Sequence, residues 1–77
     1  MTRAYQNYDI FVSQLVAMRI ARGFTQRKLA DAANVDQCFV ARTETRKRRL
    51  DLAEAVHLLK AMKVPRGEIL KIMGTLI

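Results

Sequence analysis

The sequence predicts an all-α fold, a compact bundle of five helices in a single domain spanning residues 1–77. Three observations predict this fold. Apolar residues recur three and four positions apart over most of the chain, and residues that favour helix starts precede these stretches. No stretch alternates apolar and polar residues as a half-buried strand does. A chain of this length buries only about 60 to 65% of its unfolded surface, so the predicted core is thin.

The first predicted helix begins at Asn7 or Asp9 and runs to about Arg22, with Gly23 as its end. Its inward positions follow helical spacing at Phe11, Val12, Leu15, Met18 and Arg22. Arg19 is adjacent to this stripe and can also reach inward. Residues 1–6 form a short, polar segment, which we expect to be a mobile arm.

Residues 25–45 predict two short helices joined at a fixed angle. Thr25 can cap the first, whose apolar face is Leu29, Ala30 and Ala33. Asn34 tolerates the left-handed conformation that commonly ends a helix. Asp36 can cap the second helix, which is predicted to run to Thr45.

The second of these helices has two chemically different sides. The side predicted to face the protein carries Val40, Thr43 and Glu44. The side predicted to face solvent carries Gln37, Cys38, Ala41 and Arg42. Gln and Arg can form paired hydrogen bonds with base edges in the major groove of duplex DNA. Phe39 lies at the boundary, where it could pack on the preceding helix or contact the sugar-phosphate backbone.

The charge balance favours a polyanionic ligand. The chain has 14 Lys and Arg residues against 7 Asp and Glu residues, a formal net charge of +7. An unbroken cationic run at Arg46, Lys47, Arg48 and Arg49 has no apolar periodicity and predicts a loop. Such a run can be a solvated surface loop, but directly after a base-reading helix the favoured interpretation is a phosphate clamp.

Two further helices complete the predicted bundle. Asp51 is the expected N-cap of a fourth helix that ends at Met62. Its predicted inward residues are Leu52, Ala55, Val56, Leu59 and Met62. A fifth helix over residues 65–73 begins at Pro65 and is predicted to stop at Gly74.

The aliphatic end of the chain holds more apolar residues than one face of a short helix can bury. These residues are Ile69, Leu70, Ile72, Met73, Leu76 and Ile77. The favoured interpretation is the interface of a two-fold symmetric homodimer. The alternative is that they only cap the core.

The pattern indicates neither an enzyme nor a metal or cofactor site. Cys38 and His57 are the only residues of their types, so a closed zinc site lacks ligands, and no third group is placed to orient a Cys–His nucleophile pair. Redox sensing by Cys38 stays open because the thiol lies near a helix N-terminus. No stretch approaches about 20 apolar residues, and no secretory signal precedes Asp9, so we expect a cytoplasmic protein without membrane contact.

The stretch RGFTQRKLADAANV, the run ETRKRRLDL and the segment LLKAMKV resemble the phage-repressor (Cro/Xre-like) helix-turn-helix family over most of the chain. The resemblance implies a repressor-like DNA-binding domain with its helix-turn-helix at residues 25–45. It further implies a transcriptional regulator that binds duplex DNA, most simply a dimeric repressor of a near-palindromic operator. Asn34 and Arg46 stand where the family often has Gly, so both bends are expected to carry strain.

The resemblance also implies roles for individual residues. Gln37, Cys38 and Arg42 match base-contacting positions, with Ala41 small enough for a close approach. Arg19 and Glu44 match a partly buried ion pair. The expected phosphate contacts are Thr25, Gln26, Arg27, Phe39, Arg46, Lys47, Arg48 and Arg49.

Three other functions stay open at this point. The same fold can serve as the DNA-binding antitoxin or autoregulatory partner of a toxin or restriction system, which would co-purify with its partner. An RNA-binding protein would need exposed aromatic residues for stacking, for which Tyr5, Tyr8 and Phe39 are the candidates. A module that binds only proteins would leave Gln37 and Arg42 unexplained.

Overall fold

A computed structural model describes the backbone of residues 3–76 and the side chains of residues 5–76. Over this range the chain is all-helical, as predicted. The five α-helices are α1 (Arg3–Ala21), α2 (Gln26–Ala33), α3 (Gln37–Glu44), α4 (Leu52–Ala61) and α5 (Arg66–Met73), followed by one 3-10 turn (Gly74–Leu76). They pack into one globule with a radius of gyration of 11.6 Å.

Helix α1 begins earlier than the sequence predicts. It starts at Arg3 rather than at Asn7 or Asp9, so the expected mobile arm is wrong for residues 3–6, while Met1 and Thr2 lie outside the described residues. Contacts distant in sequence accompany the earlier start, because Arg49 lies over the ring of Tyr5, 4.4 Å from its centroid, and the Tyr8 hydroxyl accepts a hydrogen bond from the Leu50 N–H at 2.9 Å. Tertiary contacts here outweigh the local capping preference of Asn7 and Asp9.

The core lies between α1 and the other four helices. Its buried apolar residues are Phe11, Val12, Leu15, Leu29, Ala30, Ala33, Val40, Leu50, Ala55, Leu58, Leu59, Met62, Val64 and Ile69. The predicted inward face of α4 is partly wrong, because Leu52 is 67% exposed and Val56 is half-buried, whereas Leu58 is buried. Leu50, in the loop before α4, takes the buried position at that end of the bundle.

Three non-glycine residues end or connect helices in the left-handed conformation. Asn34 has a φ of 57°, Arg46 of 64° and Lys63 of 65°. Gly23 ends α1 in the same region, at 77°. Asn34 and Arg46, where the sequence predicts backbone strain, therefore both have the left-handed conformation that causes it. Gly74 differs, because its φ of −60° is right-handed and the chain continues into the 3-10 turn.

Most of the aliphatic residues at the end of the chain pack in or against its own core. Ile69 is 7% exposed and is wrong as a predicted interface residue, since it packs inside the bundle. Ile72, Met73 and Leu76 are half-buried against the same core, Leu70 is 64% exposed, and Ile77 lies outside the described residues. An open apolar groove between α1 and α5 is lined in part by Ala17, Ala21 and Ile72. Among the described helices, none has the length and hydrophobicity needed to cross a membrane.

Candidate nucleic-acid interface

Helices α2 and α3 are joined by a turn whose geometry follows from the local sequence. The Thr25 side chain accepts a hydrogen bond from the Lys28 N–H at 3.0 Å and so caps α2. Left-handed Asn34 then donates its backbone N–H to carbonyls in the last turn, including that of Ala30. Asp36 has the backbone conformation of an N-cap but makes no side-chain capping bond, so that part of its predicted role is wrong. The turn places α3 directly against α2.

Helix α3 has the two sides that its sequence predicts. Val40 and Thr43 are buried, and Glu44 is half-buried. The opposite side carries three exposed predicted base-reading residues, Gln37, Cys38 and Arg42, with half-buried Ala41 between them. The backbone groups of a helix bond to one another, so its exposed side chains are free to bond to a ligand. This side of α3 is therefore accessible to the groove of a DNA duplex.

An ion pair anchors the end of α3 to α1. Arg19 donates from Nε and Nη2 to the two carboxylate oxygens of Glu44, at 2.7 and 3.1 Å. Its Nη1 donates to the carbonyl of Phe24 at 2.8 Å. The two charged side chains are only 12% and 10% exposed. Paired, nearly buried charges in fork geometry fix orientation well, so the angle between α1 and α3 is strongly determined.

Gln26 belongs to the same network. Its Nε2 donates to Glu44 Oε1 at 2.9 Å, and the side chain is half-buried. This residue was predicted to contact phosphate, but in the structure its amide holds the anchoring carboxylate. Arg27, the next residue, is exposed at the N-terminal turn of α2. It is therefore better placed than Gln26 to meet an anion there.

Arg46 ties the loop after α3 to α1. Its Nη2 donates to the Asp9 carbonyl at 3.0 Å and to Ser13 Oγ at 2.9 Å, and its Nε lies 3.4 Å from Asp9 Oδ1. Its Nη1 donates to the Glu44 carbonyl. A guanidinium with these four partners has little donor capacity left. Arg46 was predicted as a phosphate ligand, but its N–H groups bond to oxygens of the protein itself.

Arg48 is held between α3 and α4. Its guanidinium lies over the ring of Phe39, 4.3 Å from the centroid, and donates in fork geometry to both oxygens of Glu54, at 3.0 and 2.8 Å. The hydrogen bond from Arg48 and one from the Asp51 amide lower the pKa of Glu54 to about 2. The same pairing raises the pKa of Arg48. Phe39, left open between packing and backbone contact, is half-buried and packs against the core.

The remaining two cations of the loop have different surroundings. Arg49 lies over the rings of Tyr5 and Tyr8, at 4.4 and 5.2 Å from their centroids. Lys47 is exposed. No salt bridge to either residue occurs within the part of the chain that the structure describes. The predicted four-residue clamp therefore separates into two residues bound to carboxylates and two that are not.

The other chemically reactive side chains do not assemble into a site. His57 Nε2 lies 2.6 Å from the carbonyl of Ala33, the last residue of α2, and so links α4 to that helix. Cys38 is a free, exposed thiol. Across the described side chains, no group of three His, Cys, Asp or Glu residues is placed to hold a metal ion.

The sequence interpretation missed the residues that hold the loop. Tyr8, Asp9 and Ser13 of α1 contact it, yet each lies more than 30 positions away in the chain, and no local signal marks such a pairing. Glu54 could have been found, because Asp51 and Glu54 have the spacing of a capping box, which the structure contains.

Comparison of the chain with family models, with curated proteins and with solved structures found no match. The functional assignment therefore depends on the chemistry of the chain's own residues, above all on the exposed side of α3.

Proposed function

We propose that this chain is a sequence-specific duplex DNA-binding protein in which α2 and α3 act as a helix-turn-helix and α3 enters the major groove. One observation carries the proposal. The hydrogen-bonding side chains Gln37 and Arg42 are exposed on one side of α3, while its other side is fixed by the core and by the Arg19–Glu44 pair. Fixed orientation and exposed donors are what direct base readout requires.

Arg42 and Gln37 have the strongest potential for base recognition. Arg42 can donate two hydrogen bonds to O6 and N7 of a guanine, and Gln37 can pair with N6 and N7 of an adenine. Each such pair discriminates against the wrong base by roughly 1 to 3 kcal/mol. Cys38 and Ala41 are small enough to lie against a thymine methyl group. Together these four residues would read a short half-site.

Cations around α3 support the proposal because they can neutralise phosphates on both sides of a groove. Arg27 is exposed at the start of α2, and Lys47 and Arg49 are exposed after α3. The Gln26 and Arg27 amides at the N-terminus of α2 favour an anion, whereas the Lys28 amide donates to the Thr25 side chain. These contacts would position the protein on DNA without reading its sequence.

The regulatory output we propose is repression by a homodimer. A dimer would present two α3 helices to half-sites about 34 Å apart, which implies a near-palindromic operator. The exposed Leu70 on α5 and the apolar groove between α1 and α5 support a subunit contact away from α3. Occupancy of promoter DNA is the simplest means by which such a domain could regulate transcription.

Selection of bound sequences from a random pool of duplexes tests the proposal. We expect enrichment of one near-palindromic sequence with two half-sites about one helical turn apart. A parallel pool of random RNA is the control, and it should yield no enriched sequence at the same salt concentration. Enrichment from the RNA pool alone, or from neither pool, would contradict the proposal.

A further inference from the structure

We infer that Arg49, held over Tyr5 and Tyr8, is a preorganised ligand for a backbone phosphodiester, and that the N-terminal turns of α1 are part of the binding site. The inference rests on the proposed function and specifies how that function uses the cationic loop. Its basis is a difference between three neighbouring arginines, all of which the structure holds in place, but by different chemistry.

Arg46 and Arg48 are held through their N–H groups, although Arg48 also lies over the ring of Phe39. Each donates to a carboxylate and to at least one further oxygen, and Arg48 forms a two-bond fork with Glu54. A phosphate would have to displace these bonds before either guanidinium could bind it. Both residues therefore act mainly within the protein, where they fix the loop against α1 and α4.

Arg49 is held by contacts with two aromatic rings. The Cζ atom lies 4.4 Å from the centroid of the Tyr5 ring and 5.2 Å from that of Tyr8. Within the described residues its side-chain N–H groups make no hydrogen bond. Stacking on an aromatic ring orients a guanidinium without using the five donors at its edge. Those donors have the planar fork geometry that matches two oxygens of a phosphate.

The loop around Arg49 is itself fixed. Leu50, the next residue, is buried and donates its N–H to the Tyr8 hydroxyl at 2.9 Å. Among the described side chains, the only carboxylate that lines the cleft formed by these rings is that of Asp9, which lies 3.4 Å from Arg46. The charge of Asp9 is thus balanced by Arg46, and Arg49 leaves the cleft with a net positive charge.

The arrangement assigns different roles to the residues involved. Arg49 would contact phosphate, whereas Tyr5 would be a positioning residue that acts through Arg49. Tyr5 is 47% exposed and does not belong to the buried core, so its replacement leaves the packing of the core intact. Loss of the ring should then weaken DNA binding through the orientation of Arg49 rather than through loss of the fold.

The test is the salt dependence of binding to a duplex of arbitrary sequence, measured for the whole chain and its variants. Arg49→Ala should reduce the slope of log K against log salt by about 0.9, the value for one phosphate contact on duplex DNA. Tyr5→Leu should weaken binding severalfold, while Tyr5→Phe, which keeps the aromatic face, should bind as the wild type does. Arg48→Ala is the matched control, and its slope should stay within about 0.3 of the wild-type slope.

A double variant distinguishes positioning from a direct contact. In the Arg49→Ala background, Tyr5→Leu should have no further effect on affinity, because its action requires the guanidinium. If the wild-type protein binds duplex DNA, either of two results would overturn this inference and leave the proposed function standing. One is an additive loss of affinity in the double variant, and the other is an Arg49→Ala slope equal to the wild-type slope. If the wild-type protein binds no duplex at any salt concentration, both the inference and the proposed function are wrong.

Discussion

The side of α3 that faces the protein differs from the side that faces solvent in how its polar groups are partnered. On the inner side, Glu44 accepts hydrogen bonds from Arg19 and Gln26 behind a layer of buried apolar residues. On the outer side, Gln37 and Arg42 are exposed. One side of this eight-residue helix is thus fixed to the protein, and the other has side chains that can bind a ligand, which under the proposed function is the edge of a base pair.

Removal of Glu44 should give the largest loss of stability. Glu44→Ala leaves Arg19 nearly buried without its carboxylate partner, and we expect a loss of about 3 kcal/mol in the free energy of unfolding. Chemical denaturation measures the loss. Glu68→Ala, at an exposed glutamate of α5, is the matched control and should change stability by less than about 0.5 kcal/mol. Equal effects of the two substitutions would show that the Arg19–Glu44 pair contributes little.

Arg42→Ala tests the outer side of the helix. We expect it to relax the preference at one base position by roughly 1 to 3 kcal/mol, because a guanine would lose its paired hydrogen bonds. Affinities for an enriched duplex and its single-base variants measure this effect. The free energy of unfolding should stay within about 0.5 kcal/mol of the wild-type value, since Arg42 is exposed. A uniform loss of affinity for all duplexes would instead identify Arg42 as a phosphate contact.

Thr43 provides a second test of the side of α3 that faces the protein. It is fully buried, and its Oγ1 has no hydrogen-bond partner among the residues that the structure describes. Thr43→Val keeps the β-branched shape and removes the unsatisfied hydroxyl, so we expect a gain of about 1 kcal/mol in stability. Thermal unfolding checks the prediction as a rise in Tm. A fall in Tm would mean that the hydroxyl has a partner in solution.

The Arg48–Glu54 pair should give the smallest effect, visible as a pH dependence. The pKa of Glu54 is lowered from 4.5 to about 2, first by the hydrogen bond from Arg48. Its contribution to stability is therefore complete above about pH 4.5 and is lost as the pH falls towards 2. Glu54→Gln should remove this part of the acid sensitivity. Identical acid unfolding profiles of the two proteins would contradict the pairing.

Local chemistry made much of α2 and α3 predictable from the sequence. Thr25 and Asn34 act through hydrogen bonds within a few residues, so their capping roles could be read from the chain itself. The same is true of the buried and exposed sides of α3, which follow from helical periodicity. The Arg19–Glu44 pair spans 25 positions and was predicted only from the family resemblance.

The positions of the cationic side chains could not be predicted in the same way. Whether Arg46 and Arg49 meet a carboxylate, a ring or solvent depends on how α1 packs against the loop. Arg46, Arg48 and Arg49 are equivalent in sequence terms, yet they contact Asp9, Glu54 and the two tyrosine rings respectively. The start of α1 was missed for the same reason, because its first turns are stabilised by contacts with this loop.

The central claim, that the outer side of α3 meets base edges, is tested most directly by an NMR titration with an enriched duplex. We expect the largest changes on the amide and side-chain signals of Gln37, Cys38 and Arg42, with smaller changes at Lys47 and Arg49. Signals from Ala17 and Ala21, which line the groove between α1 and α5, should not respond to DNA. Changes confined to that groove, with α3 unaffected, would contradict the account.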